Sequence, residues 1–390
     1  MAVQERRPYQ PSLLWRATSA TEIGMVGLIC RSFLFALNTT EVHGLDRFLK
    51  VLDSRKDEKA RTRGLITVSN HVSVLDDPIM WGVLPNKYFW DPNNMRWSLG
   101  SYDICFRNKL FETFFSYGNT LPTHRAAYSK HGGLFQPTMT QVIRLLSDPH
   151  SQPTTPHTAT RLVDHSPDAT TPPTDPFTSN HLTYPSTYST TGTDTFPAPS
   201  YHPSRRYSWI HIFPEGMIHQ HPAKVMRYFK WGVARLILEA EPTCPDLVPI
   251  WIDGTQDVMP QDRGWPRPVP RVGKKVSVTF GEVVDGEGVF GGYRERWRSL
   301  KERARRRRVE AALLGELRED ELKYGAEAEQ LRIEVTMAVR NEVLKVRRAC
   351  GLPDEDPKRG LAETYRAEGG REASKDEGRK PDGSIVKDGL

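Results

Sequence analysis

The chain has 390 residues, a net charge of +6 and a 37% share of hydrophobic residues; its mean hydropathy of −0.56 is too polar for one uniformly packed domain, so folded and polar stretches must alternate. The four cysteines, Cys30, Cys105, Cys244 and Cys350, stand far apart with no CxxC pair, which argues against a zinc site and against a disulfide framework. The positive balance favours an anionic partner and leaves nucleic acid, an anionic lipid surface and a phosphate-bearing substrate open.

Residues 1–40 form an N-terminal segment. Its first twenty residues are polar and mix Arg6, Arg7 and Arg16 with Glu5, a poor pattern for a transit peptide. Residues 23–37, IGMVGLICRSFLFAL, are apolar apart from Arg31 and Ser32. This run is shorter than the roughly 20 residues a spanning helix requires. It predicts a helix lying in one leaflet, with Trp15, Phe33 and Phe35 at headgroup level and Arg16 and Arg31 reaching toward phosphates. A helix packed on the protein's own core has the same pattern. On the interfacial reading, deleting it leaves an intact fold with weakened liposome binding.

Residues 41–148 and 209–290 read as alternating strands and helices, the pattern of an α/β domain with a sheet flanked by helices. Apolar runs predict strands at 65–69, 209–213, 247–252 and 275–280, with a strand-like piece at 118–125. Helical spacing marks 74–84, 109–116, 133–146 and 227–240. Residues 149–208 hold more than a third of the prolines and few aliphatic residues, which predicts a disordered insertion in a surface loop. Beyond 290 the chain is charged: basic over 294–308, mixed in sign over 310–324. Leu331, Val335, Val339, Val343 and Val346 then form a helical stripe, giving a charged helical extension over 291–352. Residues 353–390 predict a disordered polar tail.

The candidate chemistry lies at strand ends. In Asn70-His71-Val72-Ser73-Val74-Leu75-Asp76-Asp77-Pro78 a histidine and a carboxylate stand five residues apart at a strand-to-helix junction. Asp76 can fold back and accept a hydrogen bond from one imidazole nitrogen, leaving the other basic and facing outward, a pair able to take a proton from a hydroxyl. Ser73 followed three residues later by Asp76 is equally a capping pattern. Arg125, beside His124 and Lys130, can clamp a phosphate or be an ordinary surface arginine. Glu215 in Phe213-Pro214-Glu215-Gly216 follows a strand, where Gly216 allows close approach of backbone or ligand; a carboxylate there can orient a hydroxyl, or simply sit in a turn. Lys224, Arg227, Lys230 and Arg235 either draw an anionic headgroup toward the site or form a solvated helix face.

In order along the chain, NHxxxxD, the glycine-to-arginine block 118–125, FPEG, and Val248-Pro249-Ile250 resemble the four blocks of the glycerophospholipid acyltransferase family. The phrases NHVSVLDDPIMWGVLP, GNTLPTHR and MRYFKWGVARLILEA are similar to its phospholipid–lysophospholipid transacylases, over residues 12–148 and 207–285. The second block departs from the Phe-Ile-Asp-Arg ending common in acyl-CoA-dependent members, since here it reads Leu121-Pro122-Thr123-His124-Arg125. The resemblance implies a single glycerol-3-phosphate-acyltransferase-like domain with a mostly mixed central sheet. It implies CoA-independent acyl transfer that remodels cardiolipin, with no cofactor, no metal and no acyl-enzyme. His71 would be the general base and Asp76 would fix its tautomer; Arg125 would hold a lipid phosphate. Glu215 would position a hydroxyl, and backbone amides near Asn70 or Gly216 would receive the oxyanion. The partners implied are cardiolipin, monolysocardiolipin, phosphatidylcholine and phosphatidylethanolamine on a mitochondrial membrane surface, and no nucleic acid. An acyl-CoA-dependent enzyme of the same fold, and a nonenzymatic membrane- or nucleic-acid-binding protein using the basic run 294–308, are the competing readings; the latter lacks a recognised binding motif.

Overall fold

Leu65-Ile66-Thr67-Val68-Ser69 carries no charge and puts Ile66 and Val68 on one face, Leu65 with the small hydroxyl residues Thr67 and Ser69 on the other, a composition that suits a strand covered on both sides. In the computed structural model, which describes residues 8–126, 128–151, 184–306 and 312–368, it is the buried strand β2 (Leu65–Ser69) of a mixed sheet. The other strands are β1 (Thr39–His43), β3 (Ser98–Ser101), β4 (Thr120–Thr123), β5 (Thr187–Tyr188), β6 (Phe196–Pro197), β7 (Trp209–Ile212), β8 (Asp246–Asp253) and β9 (Lys275–Phe280). The sheet order is β1-β9-β8-β2-β7. β2 runs parallel to both β7 and β8, and β9 turns back antiparallel to β8. The parallel pair β3–β4 extends the sheet past β7: the Trp97 N–H donates to the Trp209 carbonyl at 2.7 Å and the His211 N–H donates to the Trp97 carbonyl at 2.8 Å. The C-terminal ends of β8, β2, β7, β3 and β4 therefore share one edge, where open α/β sheets bind ligands.

Two apolar layers sandwich the sheet. Leu65 joins Phe48, Leu52, Trp81, Phe89, Trp209 and Phe280 on one face, under helices Leu13–Leu37, Leu45–Ser54 and Asp76–Trp81. Ile66 and Val68 join Val142, Ile143, Ile237, Trp297 and Val335 on the other, under helices Pro137–Leu146, Gly232–Glu239, Gly286–Arg305 and Ala326–Ala349. Each fully buried aliphatic side chain of this kind contributes about 1.5–3 kcal/mol. The α/β class with helices on both faces is as the sequence predicts.

Several expectations are corrected. The N-terminal helix is Leu13–Leu37, 25 residues and apolar enough to cross a membrane by length and composition. One stripe of it, Ser19, Ile23, Gly24, Gly27, Cys30 and Leu34, is buried against the protein, while Met25, Ile29, Phe35 and Leu37 stay exposed. Arg31 does not reach outward: its Nη1 donates to the carbonyls of Gly82, Val83 and Leu84 at 3.1–3.3 Å, serving the orphan acceptors after helix Asp76–Trp81. The helix expected over 227–240 begins only at Gly232. The Lys230 N–H donates to the Pro214 carbonyl at 2.8 Å and the Arg227 N–H to Glu215 at 2.8 Å, so tertiary acceptors displace the first helical turn.

The expected disorder over 149–208 fails for 184–208. There β5 and β6 pair, Tyr184 and Phe196 are buried, and Thr190 Oγ1 lies 2.8 Å from His124 Nε2; residues 152–183 lie outside the described residues. The tail expected from 353 onward folds back through Pro357–Gly360 and the helix Ala362–Glu368, and 369–390 lie outside the described residues. Much of the basic run over 294–306 is matched within the protein. Arg294 Nη2 donates to the Ala240 carbonyl at 2.7 Å, and Arg296 and Arg303 pair with Glu334 and Glu327 at 2.5 Å. Arg307 and Arg308 lie outside the described residues.

Candidate active site

Where β2 ends, the chain cannot continue its ladder because it must turn into helix Asp76–Trp81. Asn70 bridges the gap: its Nδ2 donates to the Ile252 carbonyl and its Oδ1 accepts the Ile252 N–H, both at 2.8 Å. An amide side chain thus mimics one more residue of β-pairing to β8, which fixes the start of the turn. This structural work occupies both ends of the Asn70 side chain.

Asp76 is fully buried and closes the turn. Its Oδ2 accepts His71 Nδ1–H at 2.9 Å and the Val72 and Ser73 N–H groups at 2.6 and 2.8 Å. Its Oδ1 accepts the Thr255 hydroxyl at 2.6 Å. The two sequence alternatives merge, because one carboxylate both ties the turn, in place of a Ser73 side-chain cap, and orients the imidazole. A carboxylate that only accepts places the proton on Nδ1 and leaves Nε2 with its lone pair. The His71 side chain keeps 21% of its surface exposed. Its ring stacks on Phe213 with centroids 4.2 Å apart, which restricts rotation about its last torsion.

Beneath it lies His211 on β7, 2.9 Å from Thr67 Oγ1 through Nδ1. Burial pulls its pKa down to about 3, so it stays neutral and adds no positive charge next to a protonated His71. Thr255 and His211 carried no signal in the sequence; a threonine after Asp253-Gly254 reads as a turn residue. Gly254 at φ +90 is required there, since a Cβ would stand 1.9 Å from the Lys275 carbonyl oxygen.

Glu215 faces inward. It is 1% exposed; Oε1 accepts the His71 N–H and Oε2 the Arg227 N–H, each at 2.8 Å. Burial pushes its carboxyl up to about 8, against the opposing pull of the two amides. The hydroxyl-positioning role expected for Glu215 has no exposed oxygen to act through; the carboxyl instead joins the backbone of the first motif, at His71, to that of Arg227. Gly216 has φ +65, and a Cβ there would meet Lys230 Cδ and Cε at 3.0 Å. Its N–H donates to the Phe213 carbonyl at 3.0 Å, so this amide, like those of His71, Val72 and Ser73, is engaged within the protein and not turned to an oxyanion.

The remaining expected residues separate. Lys224 lines a small pocket with Asn70, Val72, Glu215 and Asp253 and pairs with Asp253 at 2.6 Å. Arg227 is buried, its guanidinium over the rings of Tyr228 and Tyr365 at 5.2 and 4.7 Å. Arg235 is buried against Glu239 at 2.7 Å, so the solvated basic face does not form. Arg125 lies on the same sheet edge as His71 but three strand spacings away, about 14 Å. It stacks on Tyr128 at 4.2 Å and binds both carboxylate oxygens of Asp103. Asp77 turns from the dyad to Arg96, at 2.5 Å from Nη2. Burial opposes its charge, and the guanidinium outweighs burial and holds the carboxyl below its usual range.

The C-terminal segment closes the back of this site. Glu355 is 1% exposed along its side chain, accepting the Met226 N–H at 2.8 Å and pairing with Arg340 and Arg347 at 2.5 and 3.2 Å. The Tyr365 hydroxyl donates to the Met226 carbonyl at 2.9 Å. Residues 226–227, which hold Glu215, are thus held in turn by the very segment the sequence reads as a tail.

A histidine presented by a buried carboxylate at the C-terminal edge of a mixed sheet suits proton transfer at a hydroxyl, and the Acyltransferase family matches residues 41–151: the protein is an acyltransferase. A tafazzin of Saccharomyces cerevisiae is 32% identical over 89% of this chain and 82% of its own length. A protein named taffazin from Dictyostelium discoideum is 29% identical over 69% of the chain and 70% of its own. The N-acylphosphatidylethanolamine synthase of Arabidopsis thaliana is 28% identical over 68% and 70%. The chain belongs to the tafazzin family, and its activity is phospholipid acyl transfer. Among solved structures it is similar to a 1-acyl-sn-glycerophosphate acyltransferase of Thermotoga maritima, at 15% identity and TM-score 0.36 over 73% of this chain and 77% of that one, a likeness too distant to carry an argument.

Proposed function

We propose that the protein moves an acyl chain directly from a donor phospholipid to a lysophospholipid without CoA, and that cardiolipin and monolysocardiolipin are among its substrates, with phosphatidylcholine and phosphatidylethanolamine as exchange partners. The observation that carries the reading is the 2.9 Å bond from His71 Nδ1 to Asp76, which leaves Nε2 as a base at the open edge of the sheet. Nε2 takes the proton of the lysophospholipid hydroxyl as its oxygen attacks the donor ester carbonyl. The tetrahedral adduct collapses, the C–O bond to the donor glycerol breaks, and the proton on Nε2 passes to the departing oxygen. One ester is made as one is lost, so the exchange runs near equilibrium in both directions.

In this scheme Asp76 stabilises the imidazolium formed in passing. Thr255 and the two turn amides hold Asp76, and Glu215 holds the His71 backbone. Arg125, freed from one oxygen of Asp103, and Lys224 at the pocket rim are the cations offered to headgroup phosphates. We place the enzyme on mitochondrial membranes facing the intermembrane space, on the support of the family resemblance.

The test is transfer of label from phosphatidylcholine to lysocardiolipin by purified protein without CoA. We expect transfer that His71→Ala lowers by about a hundredfold to ten-thousandfold. Label moving only when acyl-CoA is supplied would replace this reading with the acyl-CoA-dependent one. Unchanged exchange in His71→Ala would sink the mechanism.

A further inference from the structure

We infer that the loop between β8 and β9 is a docking surface for anionic lipid bilayers, built around Trp265 and set beside the catalytic edge. The inference rests on phospholipids being the substrates, but its chemistry is separate from His71. Trp265 is 93% exposed, and Val269 and Val272 are each 56% exposed. One exposed apolar residue is ordinary; an indole and two valines on a single loop with cations between them are not.

The loop is stiff. Pro260, Pro266, Pro268 and Pro270 fall within eleven residues, which removes backbone freedom that would otherwise let the indole fold back. Its ends are fastened: the Arg271 N–H donates to the Val258 carbonyl at 2.9 Å and the Gly273 N–H to the Leu37 carbonyl at 2.8 Å. Within it Arg263 holds the Arg267 and Pro260 carbonyls at 2.6 and 2.7 Å. That leaves Arg267, Arg271 and Lys274, for which no ion pair exists among the described residues. Asp262 is the only carboxylate from 259 to 274.

Position gives the surface its meaning. β8 ends and β9 begins at the sheet edge that carries His71. The Gln220 side chain ties the loop to the site, accepting the Gln261 N–H at 2.8 Å and donating to the Val72 and Met259 carbonyls at 2.7 and 3.1 Å. At the other side the loop meets the end of the N-terminal helix, where Phe35 and Leu37 are exposed. Indole at the headgroup level, with arginines reaching phosphates around it, is the composition of an interfacial anchor. The excess of cations selects an anionic surface, with about fivefold in binding for each charge near it.

The experiment is vesicle co-sedimentation of the full chain with phosphatidylcholine vesicles, with and without phosphatidylglycerol. It compares wild type, Trp265→Ala, and Arg267→Glu combined with Arg271→Glu. These exposed sites leave thermal unfolding unchanged, and activity on a monomeric short-chain phosphatidylcholine with a short-chain lysolipid acceptor stays at the wild-type level. We expect the double charge variant to lose at least about twenty-fivefold of its binding to phosphatidylglycerol vesicles and Trp265→Ala to weaken binding to both compositions. Variants that sediment like wild type overturn the inference. A wild type that binds through this loop yet transfers no acyl group overturns the proposed function and leaves the docking surface standing.

Discussion

Glu215 and His71 are joined through the backbone: the carboxyl of one accepts the N–H of the other at 2.8 Å, and its second oxygen accepts the Arg227 N–H at the same distance. The two most recognisable motifs of the sequence therefore meet through a main-chain contact, and the side chain of Glu215 serves the position of the His71 ring without touching it.

Glu215→Gln is expected to destabilise the fold. A glutamine offers one oxygen and one NH2, so one of the two amides would face a donor, costing about 1–3 kcal/mol. The pH dependence follows from the carboxyl's pKa of about 8. Between the ordinary carboxylate range and pH 8 the folded state keeps a proton that the unfolded chain has released. This residue's share of stability is thus complete at acid pH and drains as pH rises through about 8. Thermal unfolding followed across that range should show this slope in wild type and its loss in Glu215→Gln; parallel curves would refute it.

Thr255→Val removes the hydroxyl 2.6 Å from Asp76 Oδ1 while keeping the shape. The buried carboxylate then lacks one donor, with a cost of about 1–3 kcal/mol, and acyl transfer should drop about tenfold. Thr255→Ser should restore both. Steady-state rates beside denaturant unfolding check it, and a wild-type rate in the valine variant would remove Thr255 from the site's support.

Glu355→Ala strands two buried guanidinium groups, Arg340 and Arg347, and frees the Met226 N–H. The expected loss is about 3–5 kcal/mol, with a chain ended after residue 352 behaving alike. Urea unfolding reads the loss directly; a variant as stable as wild type would mean that the C-terminal segment does not brace residues 226–227.

Removal of residues 13–37 should cost the fold itself. Gly24 and Gly27 lie against Trp90 and Phe89, where a Cβ would stand 2.4–2.6 Å from the rings, and Ile23 and Leu34 are buried. The milder Gly27→Leu should destabilise by about 1–3 kcal/mol through overpacking. Differential scanning calorimetry decides between this outcome and the intact fold expected of a purely interfacial helix.

The α/β class was legible in the sequence because buried parallel strands leave short runs rich in β-branched and aromatic residues, such as 65–69 and 209–213, too short for a core helix and closed by turn residues. The strand-like piece at 118–125 holds β4, whereas β3 leaves no sequence signal, since Ser98-Leu99-Gly100-Ser101 carries little apolar weight and owes its place to the neighbouring bridge at Trp97. Residues 184–208 were misread for the related reason that a few aromatics in a Pro- and Thr-rich background bury enough area to fold when a partner surface exists.

His71 and Asp76 were determined by the sequence alone, because their five-residue spacing is local and a single turn brings them together whatever the rest of the chain does. Everything that positions the pair was decided by tertiary structure. Thr255 stands 179 residues from Asp76 and Glu215 stands 144 from His71, and Glu355 reaches the same network from the far end of the chain. Such contacts leave no periodicity or spacing to read, since they depend on which strand ends the sheet order sets side by side.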